Sequence, residues 1–276
     1  MAGMLYLVPT PIGNLGDISQ RCRETLEQAD FIAAEDTRVS LKLLNHLGIK
    51  KPLVSYYEHN REASGQKILE RIEQGETCAL VSDAGSPAIS DPGEDLVALC
   101  AQNGITVSAI PGPCAAITAL SISGLPTGRF TFEGFLSTNK KNRQEHLALL
   151  DGEQRTMIFY EAPHKLTGTL DDLLHAFGPD RRISLCRELT KLHEEVIRTT
   201  LQGAVDYYAE NAPRGEYVLI LEGAEPPAEE TLSIEDALAL VAKKIEGGLS
   251  KKDAVKQVAK ETGLSKNILY DEAVKL

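Results

Sequence analysis

The chain reads as an α/β protein: two α/β domains followed by a small helical domain resembling a helix-turn-helix. Three observations predict this. Short apolar runs alternate with helix-period stretches over most of the length, the pattern of βαβ units. Three of the runs break abruptly into loops rich in glycine and proline: VPTPIGNLGD (8–17), VSDAGSPAISDPG (81–93) and IPGPCA (110–115). Beyond residue 233 the strand pattern stops and only helical periodicity continues.

In the first domain, residues 1–124, strands are expected near Met4–Val8, Phe31–Ala34, Leu53–Tyr57, Thr77–Val81 and Thr106–Ile110. Helices fall between them. The first is expected to start at Asp17, which with Gln20 makes a capping-box-like pair. Others should stop at Gly48, Gly75 and Gly104, each placed like the glycine just past a helix end. A small-residue helix, Cys114–Ser121, then leads through Gly124, Pro126 and Gly128 into the second domain, residues 125–224. There strands are expected at Phe130–Phe135, Thr156–Tyr160, Ile183–Arg187, Glu195–Thr200 and Tyr217–Leu221, with helices near Arg143–Leu150, Leu166–Phe177 and Gly203–Glu210. The close spacing of the last strands suggests a mixed sheet. AEPPAEE (224–230) reads as a linker. The third domain, residues 230–276, breaks at Gly247 and Gly248 and turns at Gly263, with Ser250 and Ser265 as N-caps for its last two helices. Such an appendage can contact nucleic acid, dock a protein or brace a dimer.

The 276 residues suffice for a sizeable core, and 42% hydrophobic with 25% charged residues is ordinary globular usage. No apolar run approaches the ~20 residues of a membrane span, and the start lacks signal-peptide character, so a cytoplasmic protein without a membrane partner is expected. Five dispersed cysteines without CxxC spacing read as buried thiols rather than a metal site. A net charge of −11 argues against indiscriminate attraction to nucleic acid. The balance is uneven: from Gly248 to Leu276 six lysines face four acids, and Lys140, Lys141 and Arg143 stand together without an acid. A solvated face or a local grip on RNA both account for such runs.

No GxGxxG follows the first strand, no GxxxxGK[ST] or HExxH occurs, and so dinucleotide, phosphate-loop and zinc-hydrolase chemistry find no support. The small residues Ala84, Gly85 and Ser86 instead let backbone groups approach a bound molecule, with Pro87 and Pro92 holding the loop. An ordinary βα loop has similar composition.

VPTPIGNLGD, AAEDTR (33–38), YYEHN (56–60), VSDAGSPAISDPG, AIPGPCA, SGLP, FEGFL, FYEAPHK (159–165) and CRELTKLHEE (186–195) occur in one order. In that order and spacing the whole chain resembles the ribosomal RNA small subunit methyltransferase I family, within the tetrapyrrole methylase superfamily. The resemblance implies two α/β domains with S-adenosylmethionine in the cleft between them, a homodimer, and 2′-O-methylation of a cytidine in 16S rRNA of the small ribosomal subunit. Where many tetrapyrrole methylases carry GGDP, this chain has Ala84-Gly85-Ser86-Pro87, which favours the RNA branch over the porphyrin branch.

For the methyl donor the candidates are Asp83, Ala84, Gly85, Ser86 and Pro87, flanked by Pro9 and by Pro111, Gly112 and Pro113. Phe132, Gly134, Phe135 and Glu161 of the second domain are expected to close the other side. A protonated ribose hydroxyl is a poor nucleophile, so a base or acceptor is expected nearby, with Glu35, Asp36 and His59 as candidates. Asp36 also reads as a helix cap, and His59 as a loop histidine without a catalytic task. Arg38, Asn60, Arg61, Lys140, Lys141 and Arg143 are the RNA-contact candidates, while Arg187, Glu188 and Lys191 read equally as an internal ion-pair network. Methylation of a small molecule or a protein on the same scaffold, and a non-catalytic ligand sensor, are the alternatives; the sensor leaves Glu35, Asp36 and His59 without a task.

Overall fold

The computed structural model describes residues 3–225 and 233–275, which fall into two compact units dividing at Ala224. The first unit contains two five-stranded sheets. In the first sheet β1 (Met4–Leu7), β2 (Phe31–Ala34), β3 (Leu53–Ser55), β4 (Cys78–Val81) and β5 (Thr106–Ala109) are all parallel, in the order β3-β2-β4-β1-β5. β2 and β4 are buried throughout, as their unbroken apolar sequences FIAA and CALV require of strands covered on both faces.

Alternate residues of one strand serve opposite faces. Ala79 and Val81 pack with Leu26 of α1 (Gln20–Gln28) and Leu44 of α2 (Thr37–Leu47). Cys78 and Leu80 pack instead with Ile68 of α3 (Arg61–Glu73) and Leu96 of α4 (Glu94–Gln102). The chain therefore winds outward from β1 along one face and returns along the other. Neighbouring strands β1 and β4 send their following loops to opposite faces, and a crevice at the carboxyl ends of strands is where such sheets bind ligands.

The second sheet comprises β6 (Phe130–Phe135), β7 (Thr156–Glu161), β8 (Arg182–Arg187), β9 (Glu195–Thr200) and β10 (Tyr217–Leu221), in the order β6-β7-β10-β8-β9. It is mixed, as expected: β6 and β7 are parallel, the remaining pairs antiparallel. Helices α6 (Lys140–Leu149), α7 (Leu166–Phe177) and α8 (Leu201–Glu210) cover one face. The other is covered by α5 (Ala115–Ile122), which follows β5 of the first sheet and sets Ala116, Ala119 and Leu120 against Ile158, Cys186 and Val218. Its small residues allow close approach, and burying Leu120 alone contributes about 1.5–3 kcal/mol. Arg198 of β9 fastens the end of this helix by donating to the carbonyls of Ser123, at 3.1 Å, and Ile122. The two lobes thus meet through α5.

Several boundaries differ from the sequence reading for local reasons. The first helix begins after Ser19, whose hydroxyl accepts from Cys22 N–H at 3.1 Å, while Asp17 closes a separate 3-10 turn, Leu15–Asp17, capped by Asn14. β3 stops at Ser55 because Asn60 Oδ1 takes the N–H of Tyr57 at 2.8 Å. α6 starts three residues early, at Lys140, since Asn139 caps Lys141 and Asn142. Thr200 caps α8, starting it at Leu201 rather than Gly203. Gly48 and Gly104 end their helices with φ of 73° and 69°, and Gly75 with 100°, as a residue without Cβ permits.

The second unit consists of α9 (Ile234–Glu246), α10 (Lys251–Thr262) and α11 (Lys266–Lys275) around Ala237, Val241, Val255, Val258 and Leu269. Ser250 caps α10, and Ser265 directly precedes α11. Residues 226–230 of the expected linker lie outside the described residues. Among the described residues no helix is long and apolar enough to cross a membrane.

Gly112 sits where an added Cβ would lie 2.8 and 2.9 Å from Cβ and Cγ of Pro9. Gly112→Ala should cost about 1–3 kcal/mol through overpacking, read as a lower urea midpoint at constant m-value. Gly128→Ala, where nothing lies within 4 Å, should leave the midpoint in place.

Candidate active site

The three glycine and proline loops are tied to one another by backbone and hydroxyl hydrogen bonds. Thr10 N–H donates to Gly85 O at 2.9 Å and Gly85 N–H to Thr10 O at 3.0 Å, a two-way bridge between the loops after β1 and β4. The buried Thr10 hydroxyl donates to Ser82 O at 3.1 Å, and Ser82 Oγ to Gly85 O at 2.9 Å. Ser86 Oγ then donates to Pro113 O at 2.9 Å, bringing in the loop after β5. Gly85 has φ +91°, a conformation that a side chain disfavours.

These loops open onto a cavity of about 530 Å³ between the lobes, within the ~300–1,000 Å³ of small-molecule sites. The first lobe contributes Ile12, Ala84, Gly85, Ser86, Asp91 and Cys114. Opposite them stand Phe135, Tyr160, Glu161, His164, Leu189 and Val218 from the second. Tyr160 Oη accepts from Ala116 N–H, at the start of α5, at 3.1 Å. Burial pushes its phenol up to about 12, so it remains protonated.

Of the expected donor-binding residues, Ala84, Gly85, Ser86, Phe135 and Glu161 line this cavity. The others support it. Pro9 packs under Gly112, Pro113 receives the Ser86 hydroxyl, and Pro87 is buried while Pro111 is exposed. Phe132 stands behind the wall, edge-on to Tyr160 at 5.1 Å. Gly134, with φ +62°, follows the register shift that turns Phe135. Asp83 accepts the N–H of Asp36 at 3.1 Å. Glu161 is only 3% exposed, its carboxylate held by Ala162 N–H at 2.8 Å and the Thr169 hydroxyl at 2.5 Å.

The expected catalytic residues differ in their environments. Asp36 caps α2, accepting from Arg38 N–H at 2.8 Å and pairing with the Arg38 guanidinium at 2.6 Å. His59 is exposed, its ring edge-on to Tyr57 at 6.2 Å. Glu35 is half-buried and feels the charges of Asp91, Asp83 and Asp36. Among the RNA candidates, Arg61 pairs with Asp95 at 2.9 Å and Lys141 with Glu145 at 3.7 Å. Arg143 is committed to Asp172 at 2.6 Å and to Ser137 O at 3.1 Å. Asn60 bridges its own turn, donating to Ser55 O at 3.1 Å, and Lys140 is exposed. Lys191 joins Glu188 at 2.8 Å and Glu216 at 2.9 Å, and Arg187 meets Glu195 at 3.3 Å, so an ion-pair network is present there.

Asp91, Tyr160, His164 and Leu189 belong to motifs that the sequence displays, yet nothing in spacing marks which side chain faces inward. Tyr217 and Val218 lie on β10 in a plain apolar run that carries no such signal. Four of the five cysteines are buried and Cys114 lines the cavity wall. Among the described residues no group of three or more His, Cys, Asp or Glu is placed to hold a metal ion.

The profile of the tetrapyrrole (corrin/porphyrin) methylases matches residues 4–205, and that of the RsmI C-terminal HTH domain matches residues 231–276. A protein of Synechocystis sp. described as ribosomal RNA small subunit methyltransferase I is 48% identical, covering 99% of this chain and 98% of its own. A protein of the same description from Escherichia coli O157:H7 is 44% identical over 99% and 95%. The chain belongs to the ribosomal RNA small subunit methyltransferase I family of tetrapyrrole methylases. In this family's fold, uroporphyrin-III-C-methyltransferase of Thermus thermophilus superposes with a TM-score of 0.57 at 21% identity, covering 80% of this chain and 94% of that one. Diphthine synthase superposes at 0.61 and 14% identity, covering 80% and 90%.

Four carboxylates act on one another beside the cavity, and one of them, Asp91, lines it. Burial, then the repulsion of Asp91, Asp83 and Asp36, raises the pKa of Glu35. Burial, then the charge of Asp83, raises Asp91. Asp83 is raised mainly by burial, with Asp36 adding repulsion. Asp36 goes the other way, down to about 2, because the Arg38 side chain bonds its ionised form. The native state thus holds protons on Glu35, Asp83 and Asp91 where the unfolded chain has released them, and their contribution to stability falls as pH rises through that window. Asp36 has the opposite sign: its contribution is present above the ordinary aspartate value and is lost as pH falls towards about 2.

Asp83→Asn keeps an acceptor for Asp36 N–H and removes one charge. Carboxyl NMR titration should show Glu35 and Asp91 ionising at lower pH than in the parent, and the melting temperature at neutral pH should rise. Unaltered titration of both would show that these carboxylates do not couple.

Proposed function

We propose that this protein transfers a methyl group from S-adenosylmethionine to the ribose 2′-oxygen of a cytidine in 16S rRNA of the small ribosomal subunit, acting in the cytoplasm as a homodimer. The single observation that carries the reading is the cavity walled by three interlocked backbone loops on one side and Tyr160, Leu189 and Val218 on the other. The family descriptions of the relatives support the substrate class. The site residues fit the donor: Ala84, Gly85 and Ser86 offer backbone groups free of bulky side chains, and the apolar lobe-two wall offers a surface for a planar base. Asp91 at the cavity wall is a negative group suited to a cationic sulfonium. The donor supplies an electrophilic methyl group.

What remains for the protein is alignment and removal of one proton. Holding two reactants in the reactive geometry replaces a bimolecular encounter, an effect worth several kcal/mol. As the oxygen gains its new bond, the hydroxyl proton needs an acceptor whose pKa lies near working pH. Glu35 meets this better than Asp36, since its raised pKa makes it the stronger base, whereas Asp36 is held ionised by Arg38 and positions α2. His59, exposed beside Tyr57, and Arg38, Arg61, Lys140 and Lys141 serve the RNA side.

Incubation with methyl-labelled donor and small ribosomal subunits lacking the modification should place label on a ribose of 16S rRNA. Folded, donor-bound protein that leaves 16S rRNA unlabelled would overturn the reading. Glu35→Gln should lower kcat by about 10²-fold or more with donor affinity retained. Gly85→Leu, forced into positive φ with its Cβ 3.2 Å from Ile12 Cγ2, should weaken donor binding by at least about tenfold in calorimetry.

A further inference from the structure

The second unit carries positive charge in an arrangement that its own stability does not ask for. Lys252, Lys256 and Lys260 recur every four residues along one exposed stripe of α10, whose buried side is Ala254, Val255 and Val258. Successive members stand about 6 Å apart along the axis, and like charges at this spacing destabilise a helix. Of the acids on this helix, Glu261 is drawn to Lys244 at 2.9 Å and Asp253 forms the helix cap with the Ser250 hydroxyl at 2.5 Å. Lys251 turns inward to the carbonyl of Ala273 at 2.8 Å.

Beside Lys252, the first turns of α11 present Lys266, Asn267, Tyr270 and Asp271, and these five residues line a groove of about 490 Å³. Tyr270 stays 40% exposed although Leu269 and Ala273 on the same helix are buried. A row of ammonium groups suits a chain of phosphates, an exposed aromatic face suits an unstacked base, and single-stranded nucleic acid offers both in succession. Asn267 and Asp271 add acceptors for a base amino group or a 2′-hydroxyl, the group that distinguishes RNA. An acidic peptide would satisfy the lysines but leave Tyr270 and Asp271 without a purpose.

We infer that the C-terminal helical unit binds single-stranded RNA, with phosphates along Lys252, Lys256, Lys260 and Lys266 and a base on Tyr270. The choice of RNA rests on the proposed function; the site itself rests on the stripe and the groove.

The test is salt-dependent binding of a fluorescent single-stranded oligoribonucleotide to the full chain. Replacing Lys252, Lys256, Lys260 and Lys266 together with Gln retains helix propensity and relieves repulsion, so the melting temperature should hold or rise. The slope of log affinity against log salt should fall by up to about 3, at about 0.7 per phosphate contact on a single strand. Tyr270→Ala should weaken binding by about tenfold with the slope kept, and both variants should bind methyl donor as the parent does. A quadruple variant with parental affinity and slope, or a parent that does not bind the oligoribonucleotide at low salt, would overturn the inference. Loss of RNA binding in these variants, together with a parent that labels no 16S rRNA, would support this site and overturn the methylation reading alone.

Discussion

The pair of hydrogen bonds between Thr10 and Gly85 is the constraint on which the rest of the first unit depends. β1 and β4 lie side by side, but their loops leave for opposite faces of the sheet, so parallel pairing alone would let the loops splay. The bridge is a separate antiparallel pair beyond the ends of the parallel strands. Gly85 makes it at φ +91°, a conformation that a side chain disfavours. Ser82 and Thr10, both buried, then spend their hydroxyls inside the same knot. A binding surface made of main chain is thereby fixed before any ligand arrives, and little ordering remains to oppose binding.

α5 carries that rigidity across to the second lobe. Its N-terminus leaves directly from the IPGPCA loop, its amide at Ala116 is received by Tyr160, and its small residues lie flat on the second sheet. Movement of one lobe over the other must disturb this contact or the hydrogen bonds of Arg198 to the end of the helix. The cavity width is consequently set by side chains remote from the chemistry.

Strand positions, both sheets' helices and the three loops were legible in the sequence because period-two and helix-period patterns and glycine stops are local signals. Sheet order was not, since β4 inserting between β2 and β1 depends on pairings far apart in the chain. The site was legible to the level of motif and less so to the level of side chain. Asp83 and Asp91 share one loop, yet only Asp91 faces the cavity while Asp83 receives the amide of Asp36. Arg143 looked like part of a basic grip because its partner Asp172 is remote in sequence and adjacent only across packed helices. Glu35 and Asp36 are consecutive carboxylates with opposite shifts, Glu35 raised chiefly by burial and Asp36 lowered by the Arg38 side chain, and both causes lie in tertiary placement.

An acidic protein that handles a polyanion must separate its charges. At physiological salt a charge is screened beyond roughly 8 Å, so the net −11 matters less at any contact than the groups immediately present. Asp91 at the cavity wall and the nearby Asp83, Asp36 and Glu35 make a locally negative region, in which burial and then the repulsion of the other carboxylates raise the pKa of Glu35. On the proposed reading such a region disfavours a substrate's phosphates and leaves its sugar and base to enter. On that reading attraction is supplied elsewhere, and the exposed lysine stripe of α10 is suited to supply it. Uniform mixing of the two charge types would weaken both fields, leaving Glu35 with burial alone to raise its pKa.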